Sequence, residues 1–273
     1  MHFKIVSDSS SNLFELPDVD YQAVPMKIIT SEKEYTDEPA LDLQEMTEEL
    51  LQYKGKTTSS CPNYHEWSNA FEGADGVFAV TITGALSGAY SAAVLAAQDH
   101  PQAHVINSLS TGPEMLLIIE RLRELILQGL SFEEIKAAIE AYQPHTHLLF
   151  SLESLNNLAR NGRCNPAVAK IAGVLGIRVL GKASAEGTLE PLHKCRGDKK
   201  LIDTFLKELD ALGYQGGKLR ITHCMNESLA RELKTAIAGR YPAADIQIGT
   251  CKGLCTFYAE KGGLIVGFED LPA

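Results

Sequence analysis

The sequence predicts an α/β fold in two domains, a three-layer parallel-sheet domain over residues 1–147 and a two-layer mixed-sheet domain over 148–273. Three observations carry this. The chain has 273 residues, about two domains at ~150 residues each. Its first 110 residues alternate short apolar runs with helical patterns, as a parallel sheet covered on both faces requires. From His145 the rhythm changes to strands in pairs around turns.

Taken in order, Phe3–Val6, Ala23–Ile29, Gly76–Ile82 and His104–Ile106 read as strands, with helices near Leu41–Leu51, His65–Phe71 and Gly88–Gln98. Gly112-Pro113 opens a helix in which Met115, Leu116, Ile119, Leu122, Leu125 and Ile126 recur at helical spacing on one inward face. Ser131 and Glu134 form a capping box for a helix that ends near Tyr142, before Pro144. Beyond the boundary, Thr146–Ser151, Arg178–Leu180 and Leu189–Arg196 read as strands, the last two around the turn Ala185-Glu186-Gly187, with helices near Glu153–Arg160 and Pro166–Val174. A helix over Lys199–Leu212, a strand over Leu219–Thr222, a helix over Glu227–Ala238 and strands near Asp245–Ile248 and Leu264–Phe268 complete the pattern.

Composition excludes several functions. Lysine and arginine number 25 against 35 acidic residues, a net charge of −10 that gives no support for binding a phosphate backbone, so no nucleic-acid partner is expected. The opening MHFKIVSDSS has no signal-peptide pattern, and no apolar run approaches the ~20 residues of a spanning helix, so the expected location is cytoplasmic. The six cysteines are scattered through a chain with ample core and are expected as free thiols.

Three segments gather hydroxyls where strands give way to helices. Asp8-Ser9-Ser10-Ser11 follows the first strand; Asp8 is a candidate phosphatase-type nucleophile, and its plain alternative is a helix cap. Thr57-Thr58-Ser59-Ser60-Cys61-Pro62 sets four hydroxyls before a proline suited to a first helical turn. Thr81-Ile82-Thr83-Gly84-Ala85-Leu86-Ser87-Gly88-Ala89-Tyr90 runs from strand through a glycine turn into an alanine-rich helix, with Ser87 as its cap. Crossovers of this kind converge on one sheet edge, where hydroxyls and free amides suit an anion. The rival reading is a phosphate-ester hydrolase or phosphotransferase using Asp8, but no second acid lies close to it in sequence and no Walker-type loop is present. The pair Cys251 and Cys255, with His145 and His147 on one strand face, gives a metal reading that lacks the usual paired ligand spacing. His223-Cys224 ends a strand and reads as a satisfied histidine; Trp67 reads as core.

In order and spacing, KIVSDSSSNL, TTSSCP, LSGAY, INSLSTG, LESLNNLARNGRC, KCRGDKK and ITHCMNE resemble the DegV family of bacterial lipid-binding proteins over nearly the whole chain. The resemblance implies a non-catalytic protein with no cofactor, holding a long-chain, palmitate-like fatty acid in a tunnel near the domain junction, for transport or metabolism, with a fatty acid kinase subunit as partner. It places the carboxylate contacts on Thr58 and Ser87, with Ser9, Ser59, Gly88, Ala89 and Cys251 in support. Arg163 and Arg196 fall on the family's arginine positions, at the head-group face or the partner surface, with a structural ion pair as their plain alternative. The chain departs from the family at Cys251, which stands for a histidine, at Asn107, which stands for an aspartate, and at Cys61-Pro62, which modifies Gln-Pro-Ser. A thiol is a weak hydrogen-bond donor and cannot give a carboxylate the cationic bond of an imidazolium.

Sequestering about fourteen methylenes at ~0.8 kcal/mol each offers on the order of 11 kcal/mol before association costs. Burying the carboxylate costs several kcal/mol unless hydroxyls and amides replace its water.

Overall fold

The computed structural model describes residues 1–165 and 176–272. The helix expected over Pro166–Val174 lies outside the described residues. The fold is α/β, with a parallel sheet built before residue 110 and a mixed sheet built after residue 145.

The parallel sheet has the order β2 (Asp20–Val24), β1 (Phe3–Asp8), β6 (Gly76–Thr81) and β7 (Ala103–Asn107). Every residue of β1 and β6 is buried; β6 reads as a nearly continuous apolar run, whereas β1 also buries Lys4, Ser7 and Asp8. Helix α2 (Tyr64–Ala70) starts in a capping box between Asn63 and Glu66, and α3 (Ala89–Ala97) packs against α2 and β7. Trp67 is fully buried in this core.

The expected single strand Ala23–Ile29 is divided between two sheets. Pro25 interrupts it, and β3 (Lys27–Ile29) turns away into a small antiparallel sheet with β4 (Glu34–Thr36) and β5 (Thr58–Ser60). A second correction concerns the TTSS segment. It forms β5 and does not open a helix; Asn63 is the cap, so Pro62 lies before the helix. Asp42 caps α1 (Leu43–Gln52), which covers this small sheet through Met46.

Helix α4 (Pro113–Leu127) is the wedge of the molecule, touching β6 and β1 on one side and β8 (Thr146–Leu152), β11 (Lys218–His223) and β13 (Leu264–Glu269) on the other. Leu117 and Ile118 are fully buried along with Met115 and Ile119, so the helix is buried around most of its girth rather than along one stripe. Helix α5 (Phe132–Tyr142) begins at the Ser131–Glu134 capping box.

The mixed sheet runs β10 (Leu189–Arg196), β9 (Ile177–Ala183), β8, β13, β11 and β12 (Asp245–Thr250), antiparallel except for the β11–β12 pair. Helices α6 (Asn156–Arg160), α7 (Asp198–Ala211) and α8 (Glu227–Arg240) accompany it. One further helix was not expected, α9 (Gly253–Ala259), whose Leu254 reaches back into the core of the parallel sheet. All six cysteines are free.

Candidate functional site

A cavity of about 270 Å³ lies where the small sheet, the β6–α3 turn and the mixed sheet meet. Its walls are mostly aliphatic: Leu148, Phe150 and Leu152 of β8, Ile265 of β13, Leu158 of α6 and Leu189 of β10. Met26, Ile82, Leu86 and, from α9, Leu254 and Ala259 complete the apolar surface. The three β8 residues are alternate positions on one face, as strand geometry dictates.

The polar groups on the cavity come from few places. Ser59 and Ser60 project from β5, and Ser87 and Gly88 from the turn that opens α3. The Ser87 hydroxyl accepts the Ala89 amide at 3.2 Å across the turn and retains a proton to donate, but the cap position of α3 is Gly88 and not the expected Ser87. Ser59 Oγ and Tyr258 Oη lie 2.6 Å apart. Arg163 is half-buried on the lining; its Nε donates to Leu86 O at 3.1 Å and another guanidinium nitrogen to Asn161 O, pinning the turn that carries Ser87. Thr111 and Cys255 meet across the wall. A hydroxyl-rich corner in an apolar chamber is suited to one anionic group with a long apolar tail.

Of the residues expected at the site, Ser59, Ser87, Gly88 and Arg163 lie on the cavity. Thr58 begins β5 beside Ser59 but outside the lining, and Ala89 is buried just inside α3. Cys251 is also off the lining: it is buried in the adjoining core, its amide donates to His223 O, and burial holds its thiol well above the ordinary range. Burial pushes the thiol on the wall, Cys255, up to about 12, so it is a neutral packing group. Arg196 is exposed on β10 and has no ion-pair partner among the described residues. Asn107 accepts the amides of Gly84 and Leu109 through Oδ1, which holds the turn after β6 without a carboxylate.

Ser9 and Asp8 are structural. Ser9 Oγ accepts the Met26 amide at 2.9 Å and donates to Asp37 Oδ2 at 2.8 Å, stitching β1 to the start of β3. Asp8 is fully buried and off the cavity. Its Oδ1 accepts the Ser10 amide and hydroxyl, capping the 3-10 turn Ser9–Ser11, and Oδ2 accepts the Ile82 amide at 2.7 Å. A nucleophile needs a free oxygen and room for its target, and Asp8 has neither. The metal reading is likewise set aside: His145 and His147 both bind Asp270, at 2.8 and 3.0 Å, and no group of three or more His, Cys, Asp or Glu residues suited to a metal occurs among the described residues.

Burial pushes the Asp8 carboxyl up to about 6, against the lowering effect of its hydrogen bonds to Ser10 and Ile82. The folded chain therefore keeps a proton that the unfolded chain has released. This contribution to stability is complete below about pH 4 and lost as the pH rises to about 6, about 3 kcal/mol in full. An Asp8→Asn variant cannot titrate. Urea unfolding at about pH 4.5 and 7.5 is expected to show wild type losing about 2 kcal/mol more than the variant across that interval; equal losses would exclude a raised value at Asp8.

Asp37 and Tyr258 were missed by sequence reasoning. Asp37 accepts the Gly253 amide at 2.7 Å and the Leu254 amide at 3.0 Å, so a carboxylate more than two hundred residues away caps α9. No local pattern signals such a cap.

Comparison with known proteins follows the geometry. A family model described as "Uncharacterised protein, DegV family" matches residues 2–270. A DegV domain-containing protein of Streptococcus pneumoniae (strain ATCC BAA-255 / R6) is 42% identical, covering 98% of this chain and 99% of its own length. The crystal structure of a DegV family protein from Eubacterium eligens loaded with heptadecanoic acid superposes with a TM-score of 0.96 at 44% identity, covering 98% of this chain and 100% of that one. The Streptococcus pneumoniae fatty acid kinase (Fak) B3 protein loaded with linoleic acid gives 0.96 at 42% identity, over 99% of this chain and 100% of that one. Among the described residues, no helix is long and apolar enough to cross a membrane.

Proposed function

Because this chain belongs to the DegV family, we propose that it binds a long-chain fatty acid in the 270 Å³ cavity and acts as a carrier rather than a catalyst. The carboxylate is received by Ser87, Ser59 and Ser60, with the Gly88 amide and Arg163 beside them, and Thr58 starts the strand that carries the two serines. The acyl chain runs along the leucines of β8 and α6. One observation carries the reading: the cavity joins a mainly apolar wall to a hydroxyl-rich corner, with no activated nucleophile or metal cluster among the described residues lining it. Likeness to the fatty acid kinase B3 protein supports presentation of the acid to a kinase subunit, and exposed Arg196 is the residue we assign to that surface.

The test is native mass spectrometry of the purified protein, followed by extraction and identification of the bound molecule. A co-purifying C16 to C18 acid is expected. Ser87→Ala removes one donor to the carboxylate and is expected to weaken palmitate binding about 10-fold, or about 1.4 kcal/mol, while leaving the fold intact. A protein that is empty and takes up no added acid would overturn the proposal.

A further inference from the structure

Across the cavity face of the mixed sheet, Gly181 of β9, Phe150 of β8 and Ile265 of β13 are direct neighbours in one row. The glycine has an ordinary negative φ, so no turn demands it. Space does. A Cβ at position 181 would stand 2.4 Å from Cζ and 2.9 Å from Cε2 of Phe150, and 2.5 Å from the Glu190 carbonyl oxygen of β10, so the ring lies across the bare backbone of β9 where that strand also meets β10. Phe150 is 3% exposed and lies on the cavity lining. Its neighbours along the strand, Leu148 and Leu152, are aliphatic and can change rotamer to suit a guest. A phenyl ring clamped on a glycine cannot. It is a flat, rigid panel in an otherwise adaptable wall.

We infer that Phe150, seated on Gly181, is the residue that selects acyl-chain shape, favouring straight chains over chains bent by a cis double bond. The inference rests on the fatty-acid reading and deepens it. A straight chain slides along a flat panel, whereas a cis bond throws the chain sideways and requires the wall to yield where it bends. Removing the ring leaves room on the β9 side that no side chain fills, because position 181 has none to offer.

The experiment loads delipidated protein with an equimolar mixture of stearate and oleate and reads the bound ratio by native mass spectrometry. Phe150→Ala is expected to raise the oleate-to-stearate ratio about 10-fold relative to wild type, the discrimination that one close wall contact supplies. Phe150→Leu, which preserves more of the packing, is expected to move it in the same direction by less. Folding is checked by thermal melting. Leu95→Ala, on the exposed side of α3 and off the cavity lining, is expected to leave the ratio within about 2-fold of wild type. An unchanged or reversed ratio in both folded Phe150 variants, or an equal shift in Leu95→Ala, would overturn the assignment while leaving fatty-acid binding standing. Failure of wild type to load either acid would instead overturn the fatty-acid reading, and the inference with it.

Discussion

Replacing Asp37 with alanine is expected to destabilise the protein by about 4 kcal/mol and to empty the cavity. The carboxylate is buried and takes three donors, the Gly253 and Leu254 amides and the Ser9 hydroxyl. Bonds to a charged acceptor contribute roughly 1.5–3 kcal/mol each, and the alanine leaves all three donors without water or partner. Burial raises the Asp37 carboxyl from its usual value while these bonds lower it, with burial the larger effect. The damage is functional because α9 brings Leu254, Cys255, Tyr258 and Ala259 to the cavity. Asp37→Asn retains an oxygen for one amide and is expected to cost about half as much. Urea unfolding together with fatty-acid retention checks both; a loss below about 1 kcal/mol for the alanine variant would show that α9 holds without its distant cap.

Gly267→Ala is expected to be the next most damaging single change, at about 3 kcal/mol. A Cβ there would meet Glu114 N at 2.4 Å and the Pro113 carbonyl carbon at 2.5 Å, and these are backbone atoms that cannot swing aside. Helix α4 must then withdraw from β13. That movement strains its contacts with both sheets and displaces Thr111 on the cavity wall. The control is Gly239→Ala in α8, where nothing lies within 4 Å and the substitution is expected to be neutral or stabilising by about 0.5 kcal/mol. Equal melting temperatures for the two variants would contradict the close approach of α4 to the sheet.

These two positions also show what sequence reading reaches. Helices α4 and α5 were legible because their apolar spacing and their start signals, Gly112-Pro113 and Ser131 with Glu134, are local. Strands β1 and β6 were legible as buried runs. The small sheet was not, since β3, β4 and β5 have three residues each, too few to express a period, and Pro25 divides a run that otherwise reads as one strand. Helix α9 was hidden because its cap is Asp37 and its start, Gly253, is a poor helix former. At the site, the hydroxyl motifs near Ser59 and Ser87 were read from the sequence, and they do meet at one cavity. The aliphatic wall was not, because leucines on β8 and α6 look the same in sequence whether they face a core or a chamber.

The position of β13 has a consequence for synthesis. It follows every other strand of the mixed sheet in the chain, yet it lies between β8 and β11, near the middle. Before it emerges, β10, β9 and β8 can pair as one ribbon and β11 with β12 as another, but nothing joins them, and each ribbon presents an unpaired edge. The mixed sheet therefore closes as a late zipper event, with high contact order and slow kinetics. The guest chamber, walled by Ile265 of that strand, exists only once the zipper has shut. A nascent chain that stops short of Leu264 therefore exposes two unpaired strand edges, the surfaces on which misassociation begins.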